Sequence, residues 1–171
     1  MVKGLGKEEK RVFVLHMFYS VIEGVILGIL ILNEFVFIKS LQGSNFQLGL
    51  LLQFSMVVFI LSLFVYEVLK QYKKRIILIS TALITRLPLI FILLFPTSLS
   101  EYDNLAYYHT VFLSIFLFYY LSLPVVNPLI NSILKNNYRS EHFGTLYSYA
   151  TSLIKIVMMV ATFLFGLLLD Y

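Results

Sequence analysis

The sequence predicts an all-α protein, built as a polytopic bundle of transmembrane helices. Hydrophobic residues make up 60% of the 171 positions and charged residues only 13%. Soluble domains average about 45–50% apolar and about 25% charged residues, and a water-soluble core of this size could not cover so much apolar surface. The mean hydropathy of +0.89 agrees with this interpretation. We therefore expect lipid, rather than water, to surround most of the chain.

Five apolar stretches account for most of the chain, and each is long enough to cross a bilayer. A transmembrane helix needs about 20 mostly apolar residues, and backbone groups in lipid must bond within their own segment, which favours helices over strands. The first stretch is too long for a cleaved signal peptide, so we expect it to remain as a span. Residues 1–11 form the N-terminal segment, and the predicted spans are residues 12–38, 46–69, 76–95, 107–134 and 143–169.

The basic residues outside these stretches predict the orientation, because positive charge collects on the cytoplasmic side of a membrane protein. One side receives Lys3, Lys7, Lys10, Arg11, Lys70, Lys73, Lys74, Arg75, Lys135 and Arg139. The other side receives only Lys39 among the basic residues, with Glu101 and Asp103. We therefore expect a multi-pass protein of a bacterial inner (plasma) membrane with a cytoplasmic N-terminus.

Three charged residues, Glu23, Arg86 and Lys155, lie near the middle of predicted spans. A charge at the centre of a bilayer costs at least about 2.5–3.5 kcal/mol, so such residues usually pair or face a cavity, and they often serve a function. Arg86 either pairs with Glu23 or binds a carboxylate or phosphate, and we favour the pair. Two cations against one anion leave a surplus positive charge, which favours an anionic solute.

Polar residues in the first and fifth spans are spaced so that each set shares one helix face. Residues seven or eleven apart lie within about 20° of each other around an α-helix, as His16, Glu23 and Glu34 do in the first span. That face either lines a solute pathway or holds one buried carboxylate as a scaffold. The corresponding set in the fifth span is Gly144, Ser148, Lys155, Thr162 and Gly166. Small residues let helices pack closely, but Lys155 needs an anion or water, and we expect it to face a cavity.

The fourth span carries Tyr120, Asn127 and Asn131 on one face, together with Pro124 and Pro128. Each proline removes a backbone hydrogen bond and bends a helix, and the freed carbonyls can line a cavity. The predicted substrate pathway or binding site therefore consists of Glu23, Glu34, Tyr120, Asn127, Asn131 and Lys155.

Other functions lack their sequence signals. The chain has no cysteine, which excludes disulfides and thiolate sites, and no glycine-rich phosphate loop. His16, His109 and His142 lie on separate elements without metal-ligand spacing. No nucleophile and base stand at a catalytic spacing, and no basic face with interleaved aromatics suits nucleic acid. We therefore expect no enzyme, cofactor, metal site or nucleic-acid partner.

Two loops and one helix end resemble the amino-terminal half of a major facilitator superfamily transporter. The predicted loop after the second span has an acidic residue followed by basic ones, as in a family loop, but without that loop's glycines. Residues 137–144 (NYRSEHFG) resemble the family's basic loop and the Phe-Gly start of its next helix, and residues 165–170 (FGLLLD) resemble the end of its fifth helix. The residues that carry the loop resemblance are Glu67, Lys73, Lys74, Arg75 and Arg139.

The resemblance implies five of the first six helices of a fold in which two six-helix halves bind a solute near the middle of the membrane. The first, fourth and fifth helices of that fold line its cavity, and the third is peripheral, which favours a structural role for Arg86. The chain lacks the family's Gly-Pro pattern in helix five and its arginine in helix four, so the resemblance does not support proton-driven exchange.

Two functions are consistent with these features. The resemblance implies membrane transport of a small solute by alternating access, with the lipid bilayer, the solute and the remainder of a longer transporter as partners. The alternative is a non-transporting membrane scaffold or assembly subunit, whose buried charges only lock helices together. The odd number of spans and the end at Tyr171 predict a fragment that cannot transport alone. A natural five-span protein is the alternative to a fragment.

Overall fold

The computed structural model describes residues 4–69, 74–95 and 104–170. Every regular element in these ranges is a helix, which confirms the all-α prediction. Each predicted span coincides with one helix or with two consecutive helices. The elements are α1 (Lys7–Ile31), α2 (Asn33–Lys39), α3 (Asn45–Leu69), α4 (Lys74–Arg86), a 3₁₀ helix (Leu87–Leu94), α5 (Leu105–Asn137) and α6 (Ser140–Asp170).

Several of these helices have the length and composition of membrane spans. Within the described residues, the helical segments that are long and apolar enough are Lys7–Lys39, Lys74–Ile92, Leu105–Asn137 and Ser140–Leu168. The second predicted span corresponds to α3, of which Asn45–Ile60 is a shorter apolar segment. Large side chains on the outside support a lipid environment, because Phe18, Phe46 and Phe163 are 67%, 76% and 66% exposed.

The start of α3 is set by a local sequence signal. The Ser44 hydroxyl accepts a hydrogen bond from the backbone N–H of Gln47 at 3.3 Å, and the Gln47 side-chain oxygen accepts one from the N–H of Ser44 at 3.0 Å. This reciprocal capping box satisfies two N–H groups that a helix start leaves without intrahelical partners. The helix therefore begins close to residue 46, where the second predicted span begins.

The third predicted span is not a uniform α-helix. α4 ends at Arg86 and the chain continues as the 3₁₀ helix, with Pro88 in its first turn. Proline has no N–H and its ring clashes with the carbonyl four residues earlier, so the α-helical pattern stops before it. Pro124 and Pro128, in contrast, lie inside α5, which continues through both.

The chain divides into two compact units. The first unit comprises Met1–Asn33 and Ser132–Tyr171, and therefore contains α1, the end of α5 and α6. The second unit comprises Glu34–Asn131, with α2, α3, α4, the 3₁₀ helix and most of α5. One boundary between the units follows the interruption of the first predicted span at Leu32, where α1 ends.

In the first unit, α1 and α6 lie side by side and run in the same direction. Glu9, near the start of α1, binds residues at the start of α6. His16 packs against Tyr147 one to two turns further along, and Gly28 contacts Ala161 near the other end. The first and fifth spans of a multi-pass chain cross a membrane in the same direction, so this parallel arrangement is consistent with the predicted topology.

Glycines on α1 allow the two backbones to approach closely. A Cβ added at Gly28 would lie 2.6 Å from the Cβ of Ala161 and 2.7 Å from the carbonyl oxygen of Met158. One turn earlier, a Cβ at Gly24 would lie 2.8 Å from its nearest neighbour. The Thr162 hydroxyl donates to the Gly28 carbonyl at 3.1 Å. Glycines four residues apart are a common means of close helix packing in membranes, where lipid removes the hydrophobic driving force.

Substitution of Gly28 by alanine is expected to destabilise the first unit. The added methyl group would overlap backbone as well as side-chain atoms of α6, and overpacking of this kind costs about 1–3 kcal/mol. Thermal unfolding of the detergent-solubilised protein should therefore show a lower Tm for Gly28→Ala. Gly49→Ala is the matched control, since no heavy atom lies within 4 Å of its added Cβ. Equal Tm values for the two variants would contradict the close α1–α6 contact.

Candidate functional site

Polar residues of α1 form one buried line. Glu9, His16, Ser20 and Glu23 are 4%, 8%, 0% and 6% exposed, and their intervals of seven, four and three residues place them on one helix face. The sequence predicted that His16 and Glu23 share a face. The interval of seven between Glu9 and His16 was the signal that could have added Glu9. Glu34, also predicted on this face, is exposed in α2, beyond the end of α1.

The Glu9 carboxylate binds the start of α6. Its Oε1 accepts a hydrogen bond from the backbone N–H of Arg139 at 3.1 Å, and the Nδ1 atom of His142 lies 3.1 Å from both carboxylate oxygens. A negative charge is favourable at a helix N-terminus, where N–H groups lack intrahelical partners. Arg139, predicted as a loop residue, thus contributes its backbone to this contact, while its side chain is exposed.

A histidine–tyrosine pair lies about two helical turns further along α1 in the same unit. Nδ1 of His16 lies 3.1 Å from the hydroxyl of Tyr138. Burial and the nearby charge of Glu9 raise the pKa of Tyr138 to about 12, so the hydroxyl keeps its proton at neutral pH. When Tyr138 donates that proton, Nδ1 of His16 accepts and the ring proton sits on Nε2. The pair therefore links α1 to the α5–α6 connection.

Glu23 and Lys155 lie at similar levels along the paired helices. Gly24, next to Glu23, contacts Ile154 and Val157, which flank Lys155 in sequence. Glu23 is buried, whereas Lys155 is exposed. No ion pair joins these two side chains in the described part of the chain. The structure therefore places them at one depth without bringing their charged groups together.

Lys155 lies on a face of α6 that the first unit leaves uncovered. It is the midpoint of this 31-residue helix, Ser140–Asp170, and it makes no hydrogen bond or ion pair with the described residues. Thr162, predicted on the same face, lies at its edge and bonds to α1. An open groove on the uncovered face is lined by Gly144, Thr145, Ser148, Tyr149 and Ser152.

In the second unit, Asn127 lines a cavity of about 300 Å³ between α3 and α5. Pro124 and Pro128 line the same cavity, so the structure brings this asparagine and both prolines together. Asn131 and Tyr120, predicted on the same helix face, are half-buried and do not line it. The Tyr120 ring packs instead against a phenylalanine of α3, with 6.5 Å between ring centres.

Arg86 belongs to the second unit and Glu23 to the first, so their pairing stays a prediction. Within its own unit, Arg86 is half-buried and its guanidinium carbon lies 5.6 Å from the ring centre of Tyr119. Tyr119 is fully buried. A guanidinium over an aromatic face is attracted by the ring's negative face, and the attraction grows where water is excluded.

The structure describes the other predicted loop residues only in part. Lys74 and Arg75 are exposed in the first turn of α4. Lys73 and the side chain of Glu67 lie outside the described part of the chain. The similarity of this loop to the major facilitator pattern therefore stays a prediction.

A buried histidine of the second unit carried no sequence signal. Nε2 of His109 hydrogen-bonds the carbonyl oxygen of Leu41, 68 residues away in sequence, and its ring lies 5.4 Å from that of Phe37. A one-sequence pattern reveals neighbours on one helix, but not a partner at such a separation. The hydrogen bond of His109 thus connects α5 to the turn after α2.

Comparison with protein family models, with curated proteins and with solved structures finds no match to this chain. The polar groups of the helices are therefore the features that indicate a function. Lys155 in the first unit and Asn127 in the second are both exposed on long apolar helices, and neither makes a hydrogen bond with the described residues.

Replacement of Glu9 by glutamine is expected to lower the Tm of the protein. A neutral amide interacts less favourably with the N-terminus of α6 and with His142 than a carboxylate does. Glu8→Gln serves as the control, because Glu8 is an exposed neighbour in the same helical turn. Thermal unfolding at neutral pH compares the two variants. An equal loss of stability would show that only the overall charge matters.

Tyr138→Phe removes the hydroxyl that binds His16 and leaves the ring in place. The net contribution of such a hydrogen bond is about 0.5–1.5 kcal/mol, and a double-mutant cycle with His16→Phe should recover a coupling of that order. The control is Tyr149→Phe, whose ring is 53% exposed. A coupling of zero between the His16 and Tyr138 substitutions would contradict the hydrogen bond.

Proposed function

We propose that this protein is part of a secondary transporter that moves a small anionic solute across a membrane by alternating access. Its relation to the major facilitator superfamily, with a further set of helices completing the site, belongs to this proposal. So does a bacterial inner-membrane location with a cytoplasmic N-terminus. The basic residues of the N-terminal segment and the loops support that orientation.

One observation carries the proposal. Lys155 is exposed at the midpoint of a long apolar helix, and the described residues give it neither an anion nor a hydrogen bond. An ammonium group at this depth is too costly to leave in lipid, and intramembrane charges usually mark a solute or ion path. We infer that Lys155 faces a water-filled path, in which its charge attracts an anion.

The neighbours of Lys155 toward the start of α6 support the same interpretation. Ser148 and Ser152 lie on its side of α6 and are exposed, as Gly144 is. Large aliphatic side chains are the usual cover of a lipid-facing surface, whereas small and hydroxylated ones suit a polar path or a close helix contact. Hydroxyl groups beside an ammonium can bind the oxygens of a carboxylate or phosphate.

We assign Glu23 a different role from that of Lys155. It is buried near the level of Lys155 rather than exposed on the same path. A carboxylate at this depth offsets part of the positive charge of Lys155 at a distance, which would keep the path from binding an anion too tightly to release it. The path would then attract anions and still release them.

The second candidate function is a membrane scaffold or assembly subunit. Gly144, Ser148 and Ser152 stand four residues apart on the uncovered face of α6. Such a series also suits the close packing of another helix. In that case Lys155 would pair with an acidic side chain of a partner helix, and no solute would cross.

Transport is tested with the complete natural protein that contains this chain, reconstituted into liposomes. Uptake of radiolabelled phosphate, lactate and glutamate would be compared between wild type and Lys155→Ala. We expect uptake of at least one anion, reduced by about tenfold or more in the variant, which corresponds to about 1.4 kcal/mol of lost interaction.

Lys135→Ala is the matched control, because Lys135 is exposed near the end of α5 and away from mid-membrane. It should leave uptake close to the wild-type rate. Anion uptake that is insensitive to Lys155→Ala would refute the assigned role of this lysine. A protein that moves none of the anions, while Lys155→Ala dissociates a co-purified membrane partner, would favour the scaffold.

A further inference from the structure

We propose that the cavity between α3 and α5 in the second unit is a binding site for a small uncharged molecule with an amide or hydroxyl group and a hydrocarbon body. The proposal does not depend on transport, because it concerns equilibrium binding to residues of the second unit alone. Among the residues that the structure describes, no charged side chain lines this cavity.

The cavity is a consequence of two helix segments facing each other. On α3, Ser55, Phe59 and Ser62 are four and three residues apart, so they lie on one face. On α5, a single turn supplies Pro124, Asn127 and Pro128. The volume of about 300 Å³ lies at the lower end of the range for small-molecule sites. It therefore suits a ligand of modest size.

Hydrogen-bonding groups with no protein partner converge on this space. Within the described residues, neither the Ser55 hydroxyl nor the Asn127 amide makes a hydrogen bond. The Ser62 hydroxyl, by comparison, already donates to the Phe59 carbonyl at 2.6 Å. Polar groups in apolar surroundings are costly unless they are hydrogen-bonded, so the exposed Ser55 and Asn127 side chains require a partner other than the described residues.

Pro124 lines the same wall, and its backbone carbonyl lacks the usual α-helical donor. The carbonyl of Pro124 would normally bind the N–H of the residue four positions later, but that residue is Pro128, which has none. Asn127, between the two prolines, can both donate and accept. The cavity thus offers a donor–acceptor set that matches a primary amide or a hydroxyl group.

The remaining wall residues determine which kind of group the rest of the ligand should carry. Val58, Phe59 and Leu123 are apolar, as are the proline rings, so most of the wall favours a hydrocarbon group. A carboxylate or an ammonium ion would lose its water here without meeting an opposite charge, which argues against both. The match is therefore a neutral molecule that is polar at one end only.

The natural absence of cysteine allows a direct test in the full-length chain. Leu123→Cys places a thiol in the cavity wall, whereas Met56→Cys places one on an exposed position of α3 outside it. A small uncharged, water-soluble methanethiosulfonate reagent should modify Leu123→Cys and not Met56→Cys, because it reacts with a thiolate, which forms only where water reaches the thiol. Hexanamide should slow that modification, whereas hexanoate and hexylammonium should not.

The expected protection is about threefold when hexanamide is present at about twice its dissociation constant. Asn127→Leu, in the Leu123→Cys background, should abolish it, and Ser55→Ala should weaken it, while the Tm of each variant reports that the protein still folds. The inference fails if Leu123→Cys is unreactive because lipid fills the cavity, if hexanoate protects as well as hexanamide, or if protection survives Asn127→Leu. None of these outcomes bears on anion uptake, so the failure of each proposal is distinguishable.

Discussion

The close parallel contact between α1 and α6 is the constraint on which the first unit depends. Lipid provides no hydrophobic drive for two apolar helices to associate, so their contact relies on backbone proximity and on polar bonds. Gly28 provides the proximity, and Thr162 bonds to its carbonyl. Glu9 provides a polar bond at the other end of the pair, to a residue 130 positions later. Contacts at both ends set the register of the two helices, and therefore the depth of Glu23 relative to Lys155.

The polar residues of the apolar helices fall into two groups with different physical roles. His16, Glu9 and Tyr138 find partners inside their own unit, and their cost of burial is offset by hydrogen bonds. Lys155 and Asn127 find none among the described residues. A polar group that the protein itself does not satisfy, on a helix otherwise suited to lipid, implies a partner from outside. That contrast separates structural polar residues from candidate functional ones.

Some helix limits were predictable because they depend on local chemistry, whereas the break at Leu32 inside the first predicted span was not predicted. Apolar runs of more than about 20 residues marked the spans, and the capping pair of Ser44 and Gln47 sets the start of α3. The change from α4 to a 3₁₀ helix also has a local cause in Pro88, although hydropathy alone predicted one continuous span. The cavity at Asn127 was only partly predictable, because the α5 wall is visible in sequence and the opposing α3 wall is not.

The sequence by itself determined the all-α fold class and which residues of one helix share a face, since both follow from composition and from the 3.6-residue repeat. Only the tertiary structure decided which faces are covered. Glu23 and Lys155 looked equivalent as mid-span charges, yet one is buried and the other exposed. Helical periodicity relates residues within one helix, and it contains no information about the neighbour that packs against it. For the same reason, the partners of Glu9 and His109, 130 and 68 residues away, emerged only from the folded chain.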